Sequence, residues 1–256
     1  MNLQFNRKLA DQYTSPSNKT RVLTESWFKD QAYCPNCGHL NMNRYPNNQP
    51  VADFYCPHCD EDYELKSKRD TNGAKVLDGA YHTMIERLTS SRNPNLFLLN
   101  YDLMNYEVTN LFVIPKHFFI PEIIEKRKPL APTARRARWV GCNILLNNIP
   151  QAGKIFFIRN KRIEPKGKVF SEWKKTLFLR EEKKVAAKGW LLDIMRCIEK
   201  LGKKEFVSDD VYAFENELKE LHPDNRHIKD KIRQQLQILR DRKYLRFVDR
   251  GRYQLA

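Results

Sequence analysis

Four cysteines in the first quarter of the chain have the spacing of a metal site. They form two Cys-x-x-Cys motifs, Cys34–Cys37 and Cys56–Cys59, with 18 residues between them. Such a turn brings two sulfurs close enough to share a tetrahedral metal ion, and roughly 15–20 intervening residues let the second turn return to the first. We therefore expect one structural Zn²⁺ bound by Cys34, Cys37, Cys56 and Cys59.

Disulfides and a redox-active dithiol are the alternatives for these cysteines. Disulfides rarely persist in a reducing compartment, and a redox motif needs only one Cys-x-x-Cys pair. Four thiolates complete the coordination of zinc, so the metal would hold shape and take no part in chemistry. Cys142 and Cys197 are then expected to be ordinary buried thiols.

Two carboxylates and a lysine flank the second motif. Asp53 lies just before it, and Glu64 and Lys66 lie just after it. Residues 51–55 and 63–68 have strand character, and residues two apart in a strand share a face, so Glu64 and Lys66 point to the same side. The motif is then the tip of a hairpin that places Asp53 beside Glu64. Oxygen ligands of this kind suit Mg²⁺, which accepts water and phosphate oxygens as its further ligands.

The same three residues have a simpler interpretation. A Glu-x-Lys sequence occurs by chance in many proteins, and it can be the polar face of a solvated strand with Asp53 in a turn. A site that only binds a phosphate, however, has no use for carboxylates, because their negative charge repels it. We therefore expect a phosphodiester-cleaving site at Asp53, Glu64 and Lys66.

The positive charge is concentrated in the second half of the chain. The net charge of +15 is made up of −1 over residues 1–114, +10 over 115–182 and +6 over 183–256. This asymmetry is expected of a surface that neutralises a phosphate backbone, although an anionic membrane surface or solubility alone would also account for it. The sequence has no apolar run of membrane-spanning length and no apolar secretory segment near Met1, so we expect a cytoplasmic protein without membrane association.

Apolar periodicity predicts the elements that position these residues. Helices are expected over residues 20–31 and 76–88, and buried strands over 96–101 and 111–114. Together with the hairpin they make an α/β domain, which we place at residues 1–182.

Residues 126–139 form a basic segment with two prolines, which favour a loop over a helix. Its arginines, Arg135, Arg136 and Arg138, are expected to follow the DNA backbone. Trp139 at its end either presents a flat apolar surface to a base or methyl group, or is a core aromatic residue at the start of a strand.

A second domain is expected over residues 183–256. A charged helix over residues 170–184 leads into it, and helices follow over 190–200, 211–221 and 225–242. A hairpin over 245–255 ends the pattern, and three helices followed by a basic hairpin are typical of a winged helix.

A winged helix places its third helix in the major groove and its wing on the backbone. We therefore expect DNA contacts from Lys229, Lys231, Arg233 and Gln234 on the third helix and from Arg250 and Arg252 on the wing. The alternative is a winged helix that binds protein, since a fold does not fix a function.

The motif Asp53…Glu64-Leu65-Lys66 resembles the PD-(D/E)xK nuclease superfamily, and the whole chain resembles the Dam-replacing protein family. Ala52 stands where the superfamily has a proline, and Pro50 lies two residues earlier. The stretches that carry the family resemblance are Ser26–Trp27, Tyr33–Cys37, Pro50–Cys56, Glu64–Ser67, Asp78–Ala80, Arg127–Arg136 and Ile232–Leu236.

This resemblance implies a mixed sheet flanked by helices and a methyl-directed restriction endonuclease. The expected substrate is double-stranded DNA with N6-methyladenine in GATC sites. Asp53, Glu64 and the Leu65 carbonyl would bind Mg²⁺, and Lys66 would orient or deprotonate the attacking water. We expect a monomer. A zinc-ribbon and winged-helix transcription regulator without catalysis is the alternative, and an RNA-processing enzyme is a further one.

Overall fold

The computed structural model describes residues 1–46, 52–88, 90 and 93–256. The chain divides into two compact units, one of residues 1–147 and 153–174 and the other of residues 148–152 and 175–256. Among the described helices, none combines the length and apolar character needed to cross a bilayer.

The elements up to Thr176 mix helices with short and long strands. They are α1 Pro16–Gln31, β1 Asn43–Arg44, β2 Phe54–Tyr55, β3 Asp62–Arg69, β4 Lys75–Ala80, α2 Tyr81–Leu88, β5 Asn95–Asp102, β6 Glu107–Ile114, β7 Ile124–Lys126, β8 Gly141–Leu145, β9 Ile155–Arg159, β10 Arg162–Ile163 and α3 Lys166–Thr176.

The main sheet carries the predicted hairpin, β2 and β3, near one of its edges. Within the described residues its strand order is β1-β2-β3-β5-β6-β9-β10, and β3 and β5 are parallel while the other neighbours are antiparallel. β5 is an almost continuous buried apolar run, as expected for a strand covered on both faces. Helix α1 packs on the sheet through Phe28, whose ring centroid lies 4.7 Å from Phe54 and 4.8 Å from Phe97.

A smaller sheet corrects one predicted helix. The structure replaces the first half of the helix expected over 76–88 with β4, which pairs with β8 in a sheet of order β4-β8-β7. Val76 is buried and Leu77 is 66 % exposed, which is the alternation of a strand. Gly79 also disfavours a helix at this point. Within the predicted range, only the residues from Tyr81 onward form a helix, α2.

The second unit has the elements of a winged helix. They are α4 Val185–Leu201, β11 Glu205–Val207, α5 Ser208–Tyr212, α6 Glu215–Leu221, α7 Ile228–Asp241, β12 Leu245–Asp249 and β13 Arg252–Leu255, with the sheet order β11-β13-β12. The predicted core stripe of α7 is confirmed, because Ile228, Ile232, Leu236 and Leu239 are all buried. Gly251 has a φ of +70° at the tip of the predicted hairpin, where a left-handed residue is required.

Two predicted helices in this region were wrong in their extent, and one strand was missed. The helix expected over 170–184 ends at Thr176 and continues only as a 3₁₀ turn, Leu177–Arg180. The helix expected over 211–221 is two helices that break at Ala213 and Phe214, and β11 was not predicted. The expected architecture is confirmed: a mixed sheet flanked by helices with an embedded four-cysteine hairpin, and a C-terminal winged helix.

Candidate active site and metal centre

Strand β3 fixes the backbone of Glu64 and Lys66. Its first residues pair with β2, with Phe54 opposite Tyr63, and its length pairs in parallel with β5, where Glu64 lies opposite Leu96. Both side chains are partly shielded, each with 21 % of its surface exposed. The strand therefore presents a carboxylate and an ammonium on one face, as the two-residue spacing predicts.

Asp53 lies against the same segment of β3. Its backbone N–H donates to the Tyr63 carbonyl at 3.0 Å, and its carboxylate Oδ2 accepts from the Leu65 N–H at 2.8 Å. The hairpin thus holds the Asp53 carboxylate at the Glu64–Leu65 peptide, so that the three residues predicted from sequence lie together. The predicted strand over 51–55 begins later than expected, at Phe54, and Val51 and Pro50 lie outside the described residues.

Lys66 makes two ion pairs. Its Nζ lies 2.8 Å from Glu64 Oε1 and 2.7 Å from Asp78 Oδ1. Asp78 lies on β4, which belongs to the smaller sheet, and its side chain is only 7 % exposed. Arg87 of α2 lies at 4.0 Å from the other oxygen of Glu64. The site therefore includes side chains from β4 and α2 as well as from the β2–β3 hairpin.

Burial and the neighbouring charges shift the pKa values of Glu64 and Lys66. Burial is the main cause that raises the pKa of Glu64, and the charges of Asp78 and Asp53 act in the same direction while Lys66 opposes them. Burial would lower the pKa of Lys66, but the carboxylates of Glu64 and Asp78 outweigh it and raise that pKa above its ordinary value. Lys66 is therefore a protonated donor in this arrangement.

A further carboxylate, on α1, lies close enough to Asp53 for their charges to interact. Glu25 lies 2.6 Å from Arg44 and 3.5 Å from Arg21. Burial raises its pKa, as does the charge of Asp53, while the two arginines lower it. Sequence reasoning missed both Glu25 and Asp78, because neither has a motif at fixed spacing from the hairpin. The only signal was that Asp78 opens one of the stretches shared with the Dam-replacing family.

The four predicted zinc ligands converge on one point. The sulfurs of Cys34, Cys37, Cys56 and Cys59 all lie within 4.8 Å of one another, so they can hold a single metal ion. Cys34 and Cys59 are 3.5 Å apart, as are Cys37 and Cys56. Burial opposes ionisation of Cys37, but hydrogen bonds from the His39 backbone and the neighbouring thiols lower its pKa to about 7.

The two cysteine turns have the same backbone geometry. In the first, the Cys34 N–H donates to His39 O and the Gly38 N–H donates to Cys34 O. In the second, the Cys56 N–H donates to Glu61 O and the Asp60 N–H donates to Cys56 O. Gly38 and Asp60 hold the equivalent left-handed position, with φ of 81° and 55°. Such paired turns are the ordinary frame of a four-cysteine zinc site, whereas a disulfide does not require them.

A buried tyrosine connects this cluster to the carboxylates. The Tyr63 hydroxyl lies 3.1 Å from the Cys34 sulfur, and Tyr63 directly precedes Glu64 on β3. The side chain is fully buried between the aromatic core and the cysteines. The order of the cysteine cluster and the position of Glu64 are thus linked through one residue.

The predicted basic loop between β7 and β8 is a loop in the structure. Arg135, Arg136 and Arg138 are exposed on it, and Arg138 has a left-handed φ of 64°. Trp139 is half-buried, and the strand begins two residues after it, at Gly141. A Cβ on Gly141 would lie 2.7 Å from the Trp139 ring, so the indole covers this glycine.

The predicted DNA-contacting residues of the second unit are all at least partly accessible. On α7, Lys229 lies 3.4 Å from Glu215, Lys231 donates to Gln234 at 2.8 Å and Arg233 donates to the Tyr212 hydroxyl at 3.3 Å. On the wing, Arg250 is exposed and Arg252 pairs with Glu205 at 3.2 Å. The structure thus brings Lys231, Arg233 and Gln234 onto the outer side of α7, while Arg250 and Arg252 flank the tip of the hairpin.

A mixed sheet that carries carboxylates and a lysine on neighbouring strands, followed by a winged helix, is the arrangement expected of a nuclease with a helix-turn-helix domain. The DpnI family model, which describes the Dam-replacing family, matches residues 1–182, and the model of the Dam-replacing HTH domain matches residues 186–255. The chain therefore belongs to the Dam-replacing family. This is a family of nucleases, so the protein is a DNA-cleaving enzyme of the modification-dependent restriction type, with a DNA-binding helix-turn-helix domain.

Proposed function

We propose that this protein is a type II methyl-directed restriction endonuclease that hydrolyses double-stranded DNA at GATC sites carrying N6-methyladenine. The observation that supports cleavage most directly is the Asp53 carboxylate held at the Glu64–Leu65 peptide, with Lys66 on the same face. The recognition sequence and the methyl group rest on the resemblance to the Dam-replacing family and not on the geometry.

We assign the catalytic roles to Asp53, Glu64 and Lys66. Asp53, Glu64 and the Leu65 carbonyl would hold Mg²⁺, and these oxygen donors fit a hard cation. Its positive charge would also oppose the rise in the pKa of Glu64 that burial causes. When bound, Mg²⁺ supplies positive charge at the reacting phosphate and makes a bound water more acidic. Lys66, as a protonated donor, orients the attacking water and adds positive charge beside the phosphate.

The cysteine cluster would hold one Zn²⁺ through Cys34, Cys37, Cys56 and Cys59. With four thiolates the site is closed, so its task is to shape the hairpin. The hairpin carries Asp53 on one strand and Glu64 on the other, and Tyr63 couples the cluster to β3. Metal binding and the geometry of the carboxylates are therefore expected to depend on each other.

DNA recognition is divided between two proposed domains, residues 1–182 and 183–256. In the first, Arg135, Arg136 and Arg138 would contact phosphates, and Trp139 would present an apolar surface to a base or its methyl group. In the second, Lys229, Lys231, Arg233 and Gln234 of α7 would enter the major groove, while Arg250 and Arg252 of the wing would contact the backbone. The intramolecular pairs of Lys229 and Arg252 would exchange their carboxylate partners for phosphates. We further propose that the enzyme acts in the cytoplasm as a monomer.

The test is digestion of one plasmid prepared from hosts with and without adenine methylation at GATC, in the presence and absence of Mg²⁺. Fragments are expected only from methylated plasmid with Mg²⁺ present. Glu64→Gln should abolish cutting, and Asp30→Asn, an exposed carboxylate on α1, should leave it intact. A transcription regulator would bind DNA without cutting it under any of these conditions. Equal cutting of both plasmids would refute the requirement for methylation but would still show that the protein is a nuclease.

A further inference from the structure

We infer that Asp78 is a positioning residue that holds the Lys66 ammonium in its working orientation, an inference that rests on the proposed function. Its carboxylate Oδ1 accepts a hydrogen bond from Lys66 Nζ at 2.7 Å. Asp78 comes from β4 in the smaller sheet, whereas Lys66 lies on β3 in the main sheet. A side-chain contact between the two sheets therefore sets where this ammonium lies.

Asp78 is itself held firmly. The same oxygen that accepts from Lys66 also accepts from the Gly79 N–H at 2.7 Å. The backbone of Asp78 pairs with Cys142 of β8 at a β-bulge between Asp78 and Ala80. Bulges commonly re-aim a side chain next to a functional site. A fixed acceptor can therefore fix the amine that donates to it.

Lys66 requires such an acceptor because its stem is flexible. A lysine ammonium has three rotatable N–H donors and no planar geometry of its own. Within the described part of the chain, carboxylates engage it in two directions, Glu64 at 2.8 Å and Asp78 at 2.7 Å. Glu64 is also a proposed metal ligand and lies 4.0 Å from Arg87, so Lys66 is not its only cationic partner. Among the described residues, Lys66 is the cation that pairs with Asp78, so Asp78 can act as its anchor.

The other oxygen of Asp78 points to function more than to stability. Among the described residues, Asp78 Oδ2 is buried and has no hydrogen-bond partner. A buried unpaired carboxylate oxygen is unfavourable for folding. The contact of Asp78 with Lys66 is made through Oδ1 alone.

The experiment compares Asp78→Ala and Asp78→Asn with the wild type in single-turnover cleavage of a methylated GATC duplex. Alanine removes the acceptor, and we expect the rate to fall by about 100-fold, as when a reacting group is displaced by about 1 Å. Asparagine keeps an oxygen that can accept from Lys66 and should recover most of the lost rate. Binding of the duplex without divalent cation, and the thermal midpoint, should match those of Glu107→Gln, which breaks the remote Glu107–Lys161 pair.

A second readout does not depend on cleavage. In protein labelled with ¹⁵N-lysine, the Lys66 ammonium, identified by its loss in Lys66→Arg, should show slow proton exchange that becomes fast in Asp78→Ala. Unchanged exchange and rate in Asp78→Ala would overturn the inference, as would a rate loss that asparagine does not rescue. If the wild type does not cut but exchange still depends on Asp78, the placement of Lys66 stands and the proposed function fails.

Discussion

The contact between Trp139 and Gly141 allows a precise perturbation of the basic loop. Gly141 is the first residue of β8. The indole of Trp139 occupies the space that a side chain at this position would need. The loop closes through the Leu130 N–H, which donates to the Trp139 carbonyl at 3.0 Å. Replacing Gly141 with alanine therefore acts on the position of Trp139 without touching any proposed catalytic residue.

The size of the effect follows from the distances. The new Cβ would lie 2.7 Å from two atoms of the Trp139 ring, and ordinary contact begins at 3.4 Å, so the ring must move by about 0.7 Å. Because the indole is half-buried, it can move toward solvent. The expected loss of folding free energy is therefore at the low end of the range for overpacked sites, about 1 kcal/mol. For a unit of this size we expect the thermal midpoint to fall by about 2–4 °C. DNA affinity should fall as well, if Trp139 contacts a base as proposed.

The assay is a double-mutant cycle of thermal unfolding and DNA binding. Gly141→Ala should destabilise the wild type but have little effect in a Trp139→Ala background, where the ring is gone. Gly167→Ala on α3 is the control, because a Cβ there meets nothing within 4 Å. An unchanged thermal midpoint in Gly141→Ala would refute this explanation, as would an equal loss of stability with and without Trp139.

Three further predictions address the metal sites and the wing. Removing zinc with a chelator, or replacing Cys59 with serine, should release one Zn²⁺ per chain, lower the thermal midpoint and abolish cleavage; active protein without zinc in metal analysis would contradict this. Asp53→Ala and Lys66→Ala should each abolish cutting while binding of methylated duplex survives in a titration, and wild-type cutting by either variant would remove that residue from the site. Arg250→Ala should weaken binding to all duplexes alike and reduce the salt slope by about 1; loss of affinity for one sequence only would show that it reads bases.

Prediction from the sequence succeeded best for features formed by residues that are close together in the chain. The cysteine turns, the hairpin and the face shared by Glu64 and Lys66 all depend on residues within about one hairpin of each other. Short-range spacing therefore predicted how Asp53 and Glu64 come together. The core stripe of α7 is equally local, since one face of one helix forms it.

The parts that escaped prediction depend on distant partners. β4 looks helical in isolation, and only its pairing with β8, more than 60 residues away in the chain, makes it a strand. Asp78 reaches Lys66 through that same pairing, and Glu25 reaches the site from α1, so no spacing rule could find them. The break between α5 and α6 falls at Ala213 and Phe214, where neither glycine nor proline marks it.

The central claim is that the cluster of Asp53, Glu64 and Lys66 cuts DNA in response to an adenine methyl group. The most direct test is single-turnover cleavage, with Mg²⁺, of two duplexes that contain one GATC site and differ only in N6-methylation of its adenines. The wild type is expected to cleave the methylated duplex, within the GATC site, and to leave the unmethylated duplex intact. Glu64→Gln is expected to cleave neither duplex. Cleavage of both duplexes at equal rates, or cleavage by Glu64→Gln at the wild-type rate, would contradict it.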